Sequence, residues 1–288
     1  MIRDIGVNTG LAAIIGTDIG HSKSPAMMNA AFQKLDMDAY YYAMNIKEED
    51  FGTVLRALPK MNFIGLTITI PYKIEVMQYL DEIDPLAEII GAVNTIRIRD
   101  GRMKGFNTDG EGFVRGLEKD LGVDTAESTF LVIGAGGVSR AIMTVLASRK
   151  AGAANPGRIY LANRTVEKAR ALCDKLNAQV CSCCVPIGLD DIPEYIREAD
   201  VLVNATNVGM PPMEGRAPLD LSLLRSDLVV ADVIYNPEKT ALLQEAERLG
   251  CRWVNGKSLL IHQGCMAFGI FTDREAPAED MRKAVFGH

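Results

Sequence analysis

TFLVIGAGGVSR, Thr129 to Arg140, is the stretch whose reading decides the fold. The β-branched and apolar run TFLVI passes straight into Gly134-Ala135-Gly136-Gly137-Val138-Ser139, and a helical pattern from Val138 to Lys150 follows at once. In that strand, turn and helix setting, Gly134 permits the tight turn and Gly136 lets the main chain approach a pyrophosphate. The helix start offers free N–H groups and a positive dipole end to the same charge. Ser139 stands where the pattern has a third glycine or alanine and is still small enough for close packing. The stretch reads as the opening βα unit of a dinucleotide-binding domain, the plainer reading being a structural glycine turn.

Outward from it, strands and helices alternate on both sides. Downstream come RIYLANR, a helix from Val166 to Leu176, DVLVNAT, LVVADVIY, a helix from Lys239 to Leu249, and RWVNG. Upstream, LAAIIG, a helix from Pro25 to Leu35, AYYYAMNI, a helix from Glu48 to Leu58, and FIGLTITI make a second such series. Strand alternating with helix predicts parallel sheet. Between the series lies GFNTDGEGFVRGLEKDLGV, with a helix after Asp109, and the final stretch from Ser258 to His288 is helical in pattern. The expected architecture is α/β with two α/β domains, residues 1–108 plus 256–288 on a mostly parallel sheet and residues 109–255 around the glycine loop, with a cleft between them.

Composition narrows the function classes. Apolar residues make up 48% of 288 and charged residues 24%, which fits a folded globular chain and excludes a disordered, collagen-like or coiled-coil one. Thirty-one basic against 37 acidic residues give a net charge of −6, and no run of basic residues marks a nucleic-acid or anionic-membrane binder. No apolar stretch reaches the roughly 20 residues that span a bilayer, and the N-terminus lacks a convincing leader, so no membrane partner and a cytoplasmic location are expected. Of six cysteines, Cys181, Cys183 and Cys184 lie almost side by side, a spacing that suits neither disulfides nor structural zinc. QVCSCCVPI reads instead as a strand of small apolar residues, and no metal is expected. The Pro/Gly-rich GMPPMEGRAP is a loop placed to border a site.

The strand RIYLANR ends in Asn163-Arg164-Thr165, with no carboxylate before Glu167 to hold a ribose 2′-hydroxyl. Arg164, with Lys168 a helical turn on, matches a 2′-phosphate, since guanidinium meets phosphate oxygens as a bidentate fork; this favours NADP over NAD. The alternative is a solvated basic pair at a helix start. In the first domain, HSKSP sets Ser22 and Ser24 after a strand, TITIPYK brings Thr67, Thr69 and Lys73 around a proline, and AVNT and NTDG add Asn94, Asn107 and Asp109. Taken singly, Ser24 is a helix cap, Asn107 and Asp109 are turn residues, and Lys73 is a solvated lysine.

In combination, HSKSP, TITIPYK, AVNT, FNTDG, GAGGVSR, NRT, Asn204-Ala205-Thr206 with Gly209-Met210, and Tyr235-Asn236-Pro237, in this order, resemble the shikimate dehydrogenase family over nearly the whole chain. The resemblance implies an N-terminal substrate-binding domain, a Rossmann-like NADP-binding domain, and reversible reduction of 3-dehydroshikimate to shikimate in chorismate and aromatic amino acid biosynthesis. Carried over by motif, it implies Ser22 and Ser24 at the substrate carboxylate, Thr67, Thr69, Asn94 and Gln263 at its hydroxyls or ring, and Tyr235 closing the site. It implies Lys73 and Asp109 as the catalytic pair. Gly134, Ala135, Gly136, Gly137 and Val138 would hold the pyrophosphate, Asn163, Arg164, Thr165 and Lys168 the adenosine ribose phosphate, and Val233 and Gly256 the nicotinamide end. The Tyr40 to Tyr42 run offers a phenol to the substrate pocket or buried strand aromatics, and His21 and His262 flank implied substrate residues.

That chemistry suits the residues, because hydride delivery to a ketone leaves a developing alkoxide that needs a cation or acid nearby, and Lys73 is both. The chain departs from the family pattern at Thr67, where asparagine is common, at Lys168, which replaces a second arginine, and at Leu259-Leu260-Ile261-His262-Gln263-Gly264. Thr67 keeps quinate, with NAD or NADP, as an alternative substrate. A non-catalytic shikimate-pathway ligand sensor is the alternative outside enzymes. The chain is expected to act as a monomer or homodimer.

Overall fold

A computed structural model describes residues 5–287. The chain divides into two compact units, one of residues up to Thr108 together with those from Ile261 onward, the other of Asp109–Leu260. Residues 256–260 stay with the second unit, where Gly256 N donates to Ile234 O at 2.9 Å and Ser258 Oγ to Asp120 Oδ2 at 2.6 Å.

The first unit runs β1 (Gly10–Gly16), α1 (Ser24–Lys34), β2 (Ala39–Asn45), α2 (Glu48–Ala57), β3 (Phe63–Ile68), β4 (Glu82–Ile83), α3 (Pro85–Ile90), β5 (Thr95–Arg99) and β6 (Arg102–Phe106). Its sheet has the order β2-β1-β3-β5-β6-β4. β2, β1 and β3 are parallel and so are β4 and β6, while β5 runs antiparallel to both β3 and β6. The antiparallel insertion comes from a hairpin whose turn residues, Asp100 and Gly101, both take positive φ, 51° and 74°, the twist that joins adjacent strands most tightly. Alternate residues of β1 serve opposite faces. Ala13 and Ile15 pack with Phe51, Leu55 and Tyr72, and Ala12 and Ile14 with Met27, Phe32 and Tyr41.

The second unit runs α4 (Asp109–Leu121), β7 (Phe130–Ile133), α5 (Gly137–Lys150), β8 (Ile159–Ala162), α6 (Val166–Gln179), β9 (Cys184–Ile187), α7 (Ile192–Tyr195), β10 (Val201–Asn204), β11 (Val229–Asp232), α8 (Ala241–Arg248) and β12 (Arg252–Val254). All six strands are parallel in the order β12-β11-β10-β7-β8-β9. The chain winds from β7 to one edge and from β10 to the other, which makes this the doubly wound, Rossmann-like arrangement and puts its reversal point between β7 and β10. β7, β8, β10 and β11 are buried at every residue, as strands covered on both faces must be.

The strand expected over QVCSCCVPI is shorter, because Cys183 N turns back to Cys181 O at 2.8 Å and β9 opens only at Cys184. Lys150, at the end of α5, is 1% exposed. Its Nζ donates to the carbonyls of Thr125, Ala126 and Ser128 at 3.2, 3.1 and 2.6 Å, tying the helix end to the loop before β7. Burial draws its pKa below the usual lysine value.

Helix α9 (Gly256–Thr272) carries the chain out of the second unit, and α10 (Ala278–Phe286) ends it. In the first unit α9 buries Ile261, Ala267 and Phe268 against Met27 and Phe32 of α1. Gly264 permits the approach, since a Cβ there would stand 2.3 Å from Met27 Cε. None of the helices among the described residues is long and apolar enough to cross a membrane.

Candidate active site

In the second unit the glycine loop leaves β7 at its carboxyl end. Gly134 has φ +105°, a conformation side chains rarely adopt, and a Cβ there would meet Thr206 Cγ2 at 2.7 Å and Ala205 O at 3.0 Å. Glycine is therefore required twice over. Gly136, the N-cap of α5, differs: its φ is an ordinary −88°, no side chain caps the helix, and an added Cβ would enter open space. Open space before uncapped first-turn amides is a cradle that an anionic group fits.

The loop forms one wall of a cavity of about 660 Å³, lined by Gly134, Ala135 and Gly136. Thr206, Asn207 and Val208, after β10, form a second wall, so the cavity sits at the reversal point of the sheet. Asn163, Arg164, Thr165 and Lys168, after β8, form a third, and among the described residues no carboxylate lines the cavity. Asn163 also braces the loop: its Oδ1 accepts from Ala135 N at 3.2 Å and its Nδ2 donates to Thr165 O at 2.8 Å. Gly137 and Val138 lie in the first turn of α5 and are not in the lining. Val233 and Gly256 adjoin one another past β11, where a Cβ on Gly256 would stand 2.2 Å from Val233 O. Tyr235 is 46% exposed.

Beneath this cavity lies a network that reading the sequence missed. Asp232, fully buried at the end of β11, accepts from Asn204 Nδ2, Ile234 N and Thr240 Oγ1 at 3.2, 3.0 and 2.8 Å. Burial pushes its pKa above the ordinary aspartate value, the three hydrogen bonds opposing. Asn204 Oδ1 in turn accepts from Thr206 N and Oγ1 at 3.1 and 2.7 Å. The signal was present as an aspartate closing the otherwise apolar run LVVAD.

In the first unit the polar residues gather around the carboxyl end of β3. Thr67 is paired with Thr95, Ile68 N donates to Asn94 O at 2.8 Å, and Val93 N donates to Lys73 O at 2.8 Å. Thr69 falls outside the strand, because Tyr72 N turns back to its carbonyl at 3.0 Å. Tyr72 holds that turn: its ring stacks on Phe51 with centroids 4.0 Å apart, and its hydroxyl donates to Ile46 O at 2.7 Å. Lys73, next in the chain, is half-buried.

Asn94 is 1% exposed and its Oδ1 accepts from Thr108 N at 2.8 Å and Thr95 Oγ1 at 3.0 Å. It thereby fixes the main chain next to Asp109, the first residue of α4. Asn107 Nδ2 donates to Ala92 O at 3.0 Å.

Ser24 opens α1 but makes no capping bond, so the cap expected of it is not formed. Ser22 Oγ accepts from Ser24 N at 3.3 Å. Gln263, on α9, is 9% exposed. Of the tyrosine run, Tyr41 is wholly buried and Tyr40 and Tyr42 are half-buried strand residues of β2. Among the described residues no cluster of histidine, cysteine or carboxylate is arranged to hold a metal ion.

Three family models match the chain: the shikimate dehydrogenase substrate binding domain over residues 14–96, shikimate/quinate 5-dehydrogenase over 117–225, and the shikimate 5′-dehydrogenase C-terminal domain over 258–286. A shikimate dehydrogenase (NADP(+)) of Methanopyrus kandleri is 42% identical over 287 residues, covering 99% of this chain and 97% of its own. The crystal structure of shikimate 5-dehydrogenase from Listeria monocytogenes in complex with shikimate and NAD matches with a TM-score of 0.92 and 34% identity over 99% of both chains. Quinate dehydrogenase from Corynebacterium glutamicum in complex with NAD matches with a TM-score of 0.88 and 34% identity, over 97% of this chain and 99% of that one.

Proposed function

The chain belongs to the shikimate dehydrogenase family, and we propose that it catalyses the NADP-dependent, reversible reduction of 3-dehydroshikimate to shikimate in chorismate and aromatic amino acid biosynthesis. The observation that carries this reading is the rim of the glycine-loop cavity, where Arg164 and Lys168 both line the wall and, among the described residues, no carboxylate does. A 2′-phosphate answers two cations; a ribose 2′-hydroxyl answers an acidic acceptor, which is missing. Gly134 to Val138 hold the pyrophosphate, Asn163 to Lys168 the ribose phosphate, and Val233 and Gly256 the nicotinamide end. NADPH bound there supplies the hydride.

Ser22 and Ser24 bind the substrate carboxylate, and Thr67, Thr69, Asn94 and Gln263 its ring and hydroxyls. As negative charge develops on the ketone oxygen, Lys73 stabilises it and gives it a proton, and Asp109 accepts a hydrogen bond from a substrate hydroxyl. Tyr235 helps to close the site. Six free cysteines, none of them bridged, support a cytoplasmic setting.

Thr67 favours a second reading, oxidation of quinate with NAD or NADP, because its hydroxyl reaches less far than the asparagine amide common in the family and leaves room for a saturated ring with an added hydroxyl. The test is NADPH absorbance during turnover of shikimate with NADP⁺, with quinate and NAD⁺ in parallel. The proposal expects the highest kcat/KM for shikimate with NADP⁺. A quinate value equal to or above it transfers the assignment to the second reading, and binding without turnover overturns both.

A further inference from the structure

Thr240 lies buried between two loops of the second unit, and the reaction above gives it no part. It is the N-cap of α8, its Oγ1 accepting from Leu243 N at 3.4 Å. That bond is long for a cap, and the proton of the same hydroxyl goes elsewhere, to Asp232 Oδ2 at 2.8 Å. Asp232 and Thr240 bracket residues 233–239, so this one bond closes the base of the segment that carries Val233 and Tyr235.

The methyl of Thr240 faces the other loop. A Cβ on Gly209 would stand 3.0 Å from Thr240 Cγ2, so glycine, at φ +110°, is what lets the segment after β10 close on the threonine. The start of that segment is wound around Asn204, whose Nδ2 donates to Val208 O at 3.1 Å and to Asp232 Oδ1 at 3.2 Å. Thr206 Oγ1 accepts from Val208 N at 3.0 Å, and Thr206, Asn207 and Val208 are a wall of the glycine-loop cavity. Val233 N donates to Asn204 O at 3.1 Å. Cavity wall and Val233 are thus joined at one end by Asn204 and at the other by Thr240. A helix cap alone asks only for an acceptor, which serine, aspartate or asparagine supplies equally well. Threonine adds the methyl that meets Gly209.

We propose that Thr240 is a positioning residue for the nicotinamide end of the cofactor: gripping Asp232 with its hydroxyl and Gly209 with its methyl, it fixes Val233 relative to the cavity wall after β10. The inference rests on the assignment of NADP to the cavity and of its nicotinamide end to Val233 and Gly256. Gly256 belongs to the same assembly, because its N donates to Ile234 O at 2.9 Å. The phosphate of the adenosine end is assigned to Arg164 and Lys168, on a different wall after β8. The two ends of the cofactor therefore depend on different parts of the unit. Hydride transfer is sensitive to this, since a misplacement of about 1 Å costs on the order of 10²-fold in rate.

The test compares Thr240→Val, which keeps the shape and loses the hydroxyl, with Thr240→Ser, which keeps the hydroxyl and loses the methyl, both in the full chain. Titration calorimetry is run with NADP⁺ and with adenosine 2′,5′-bisphosphate, which has the adenosine end and no nicotinamide. For Thr240→Val the Kd for NADP⁺ is expected to rise about tenfold and kcat for shikimate to fall about ten- to hundredfold. Thr240→Ser shows the same split in milder form, with the Kd for NADP⁺ raised about threefold, and decides alone if the valine variant does not fold. In both, the Kd for the bisphosphate stays within about twofold of wild type. Equal weakening of the two ligands overturns the proposal by making Thr240 a general support of the cavity, and an unchanged Kd for NADP⁺ overturns it outright. Wild-type protein that binds neither ligand overturns the cofactor assignment itself, and this role of Thr240 with it.

Discussion

Asn204 and Asp232 stand in register at the carboxyl ends of adjacent strands, and Asn204 Nδ2 donates to Asp232 Oδ1 at 3.2 Å with both residues at 0% exposure. Each then controls the loop that follows it. Asn204 pins Thr206, which lines the glycine-loop cavity, and Asp232 pins Ile234 N and Thr240, on either side of the segment that carries Tyr235. A buried charge answered by three donors is a costly way to hold two loops, and its cost depends on pH.

Because the folded pKa of Asp232 is raised, the group favours folding most below its unfolded value, and that contribution is lost as pH climbs through the folded value. Asp232→Asn keeps an acceptor for Asn204 and Ile234 and can donate to the Thr240 hydroxyl, without the charge. The stability of Asp232→Asn relative to the wild type is therefore expected to improve between about pH 4 and pH 8, read from urea unfolding at both ends. Asp232→Ala, which orphans all three donors, is expected to cost about 2–4 kcal/mol.

Gly134 and Gly136 are expected to part company on substitution. Gly134→Ala meets Thr206 and Ala205 at φ +105° and should destabilise the protein by about 1–3 kcal/mol, seen as a lower urea midpoint. Gly136→Ala meets nothing within 4 Å and should leave stability within about 0.5 kcal/mol of wild type. Its methyl instead projects into the space before the α5 amides, so the Kd for NADP⁺ should rise by about tenfold or more in a fluorescence titration. A Gly136→Ala protein that binds NADP⁺ normally would remove the pyrophosphate from that cradle.

The doubly wound unit was legible because each of its strands except the edge strand β12 is an unbroken apolar run closed by a polar or glycine residue. Strand ends were less so: FIGLTITI is apolar or β-branched throughout, yet β3 stops at Ile68 because Tyr72 turns back onto Thr69, a tertiary event set by the Phe51 stack. The β5–β6 hairpin had a local signal, Asp100-Gly101 between alternating residues, that went unread beside the stronger parallel pattern. Arg164 and Lys168 were readable from the missing carboxylate after β8 and do line the cavity. Asp232 was not, since an aspartate ending a strand acquires meaning only from neighbours that pairing brings alongside.

Arg164→Ala should separate the two cofactors. If the guanidinium holds a 2′-phosphate, its loss removes a charge-assisted contact of about 1.5–3 kcal/mol, or roughly 10- to 100-fold in Kd for NADP⁺. NAD⁺ affinity, which has no such group to lose, should change by less than about twofold. Equal weakening of both, measured by titration calorimetry, would make Arg164 a structural residue of the α6 start.

Lys73→Ala tests the proton donor. One bond at this position, Val93 N donating to Lys73 O at 2.8 Å, is made by the main chain and survives the substitution, as does the Tyr72 stack beside it. Removing a general acid that acts as charge develops should lower kcat by about 10²- to 10⁴-fold with little change in KM for shikimate. Lys73→Arg keeps a cation but not a donor that titrates, and should recover only the electrostatic share of the rate. A kcat for Lys73→Ala equal to wild type would take the lysine out of the chemistry, whereas a KM effect alone would leave it as a substrate contact.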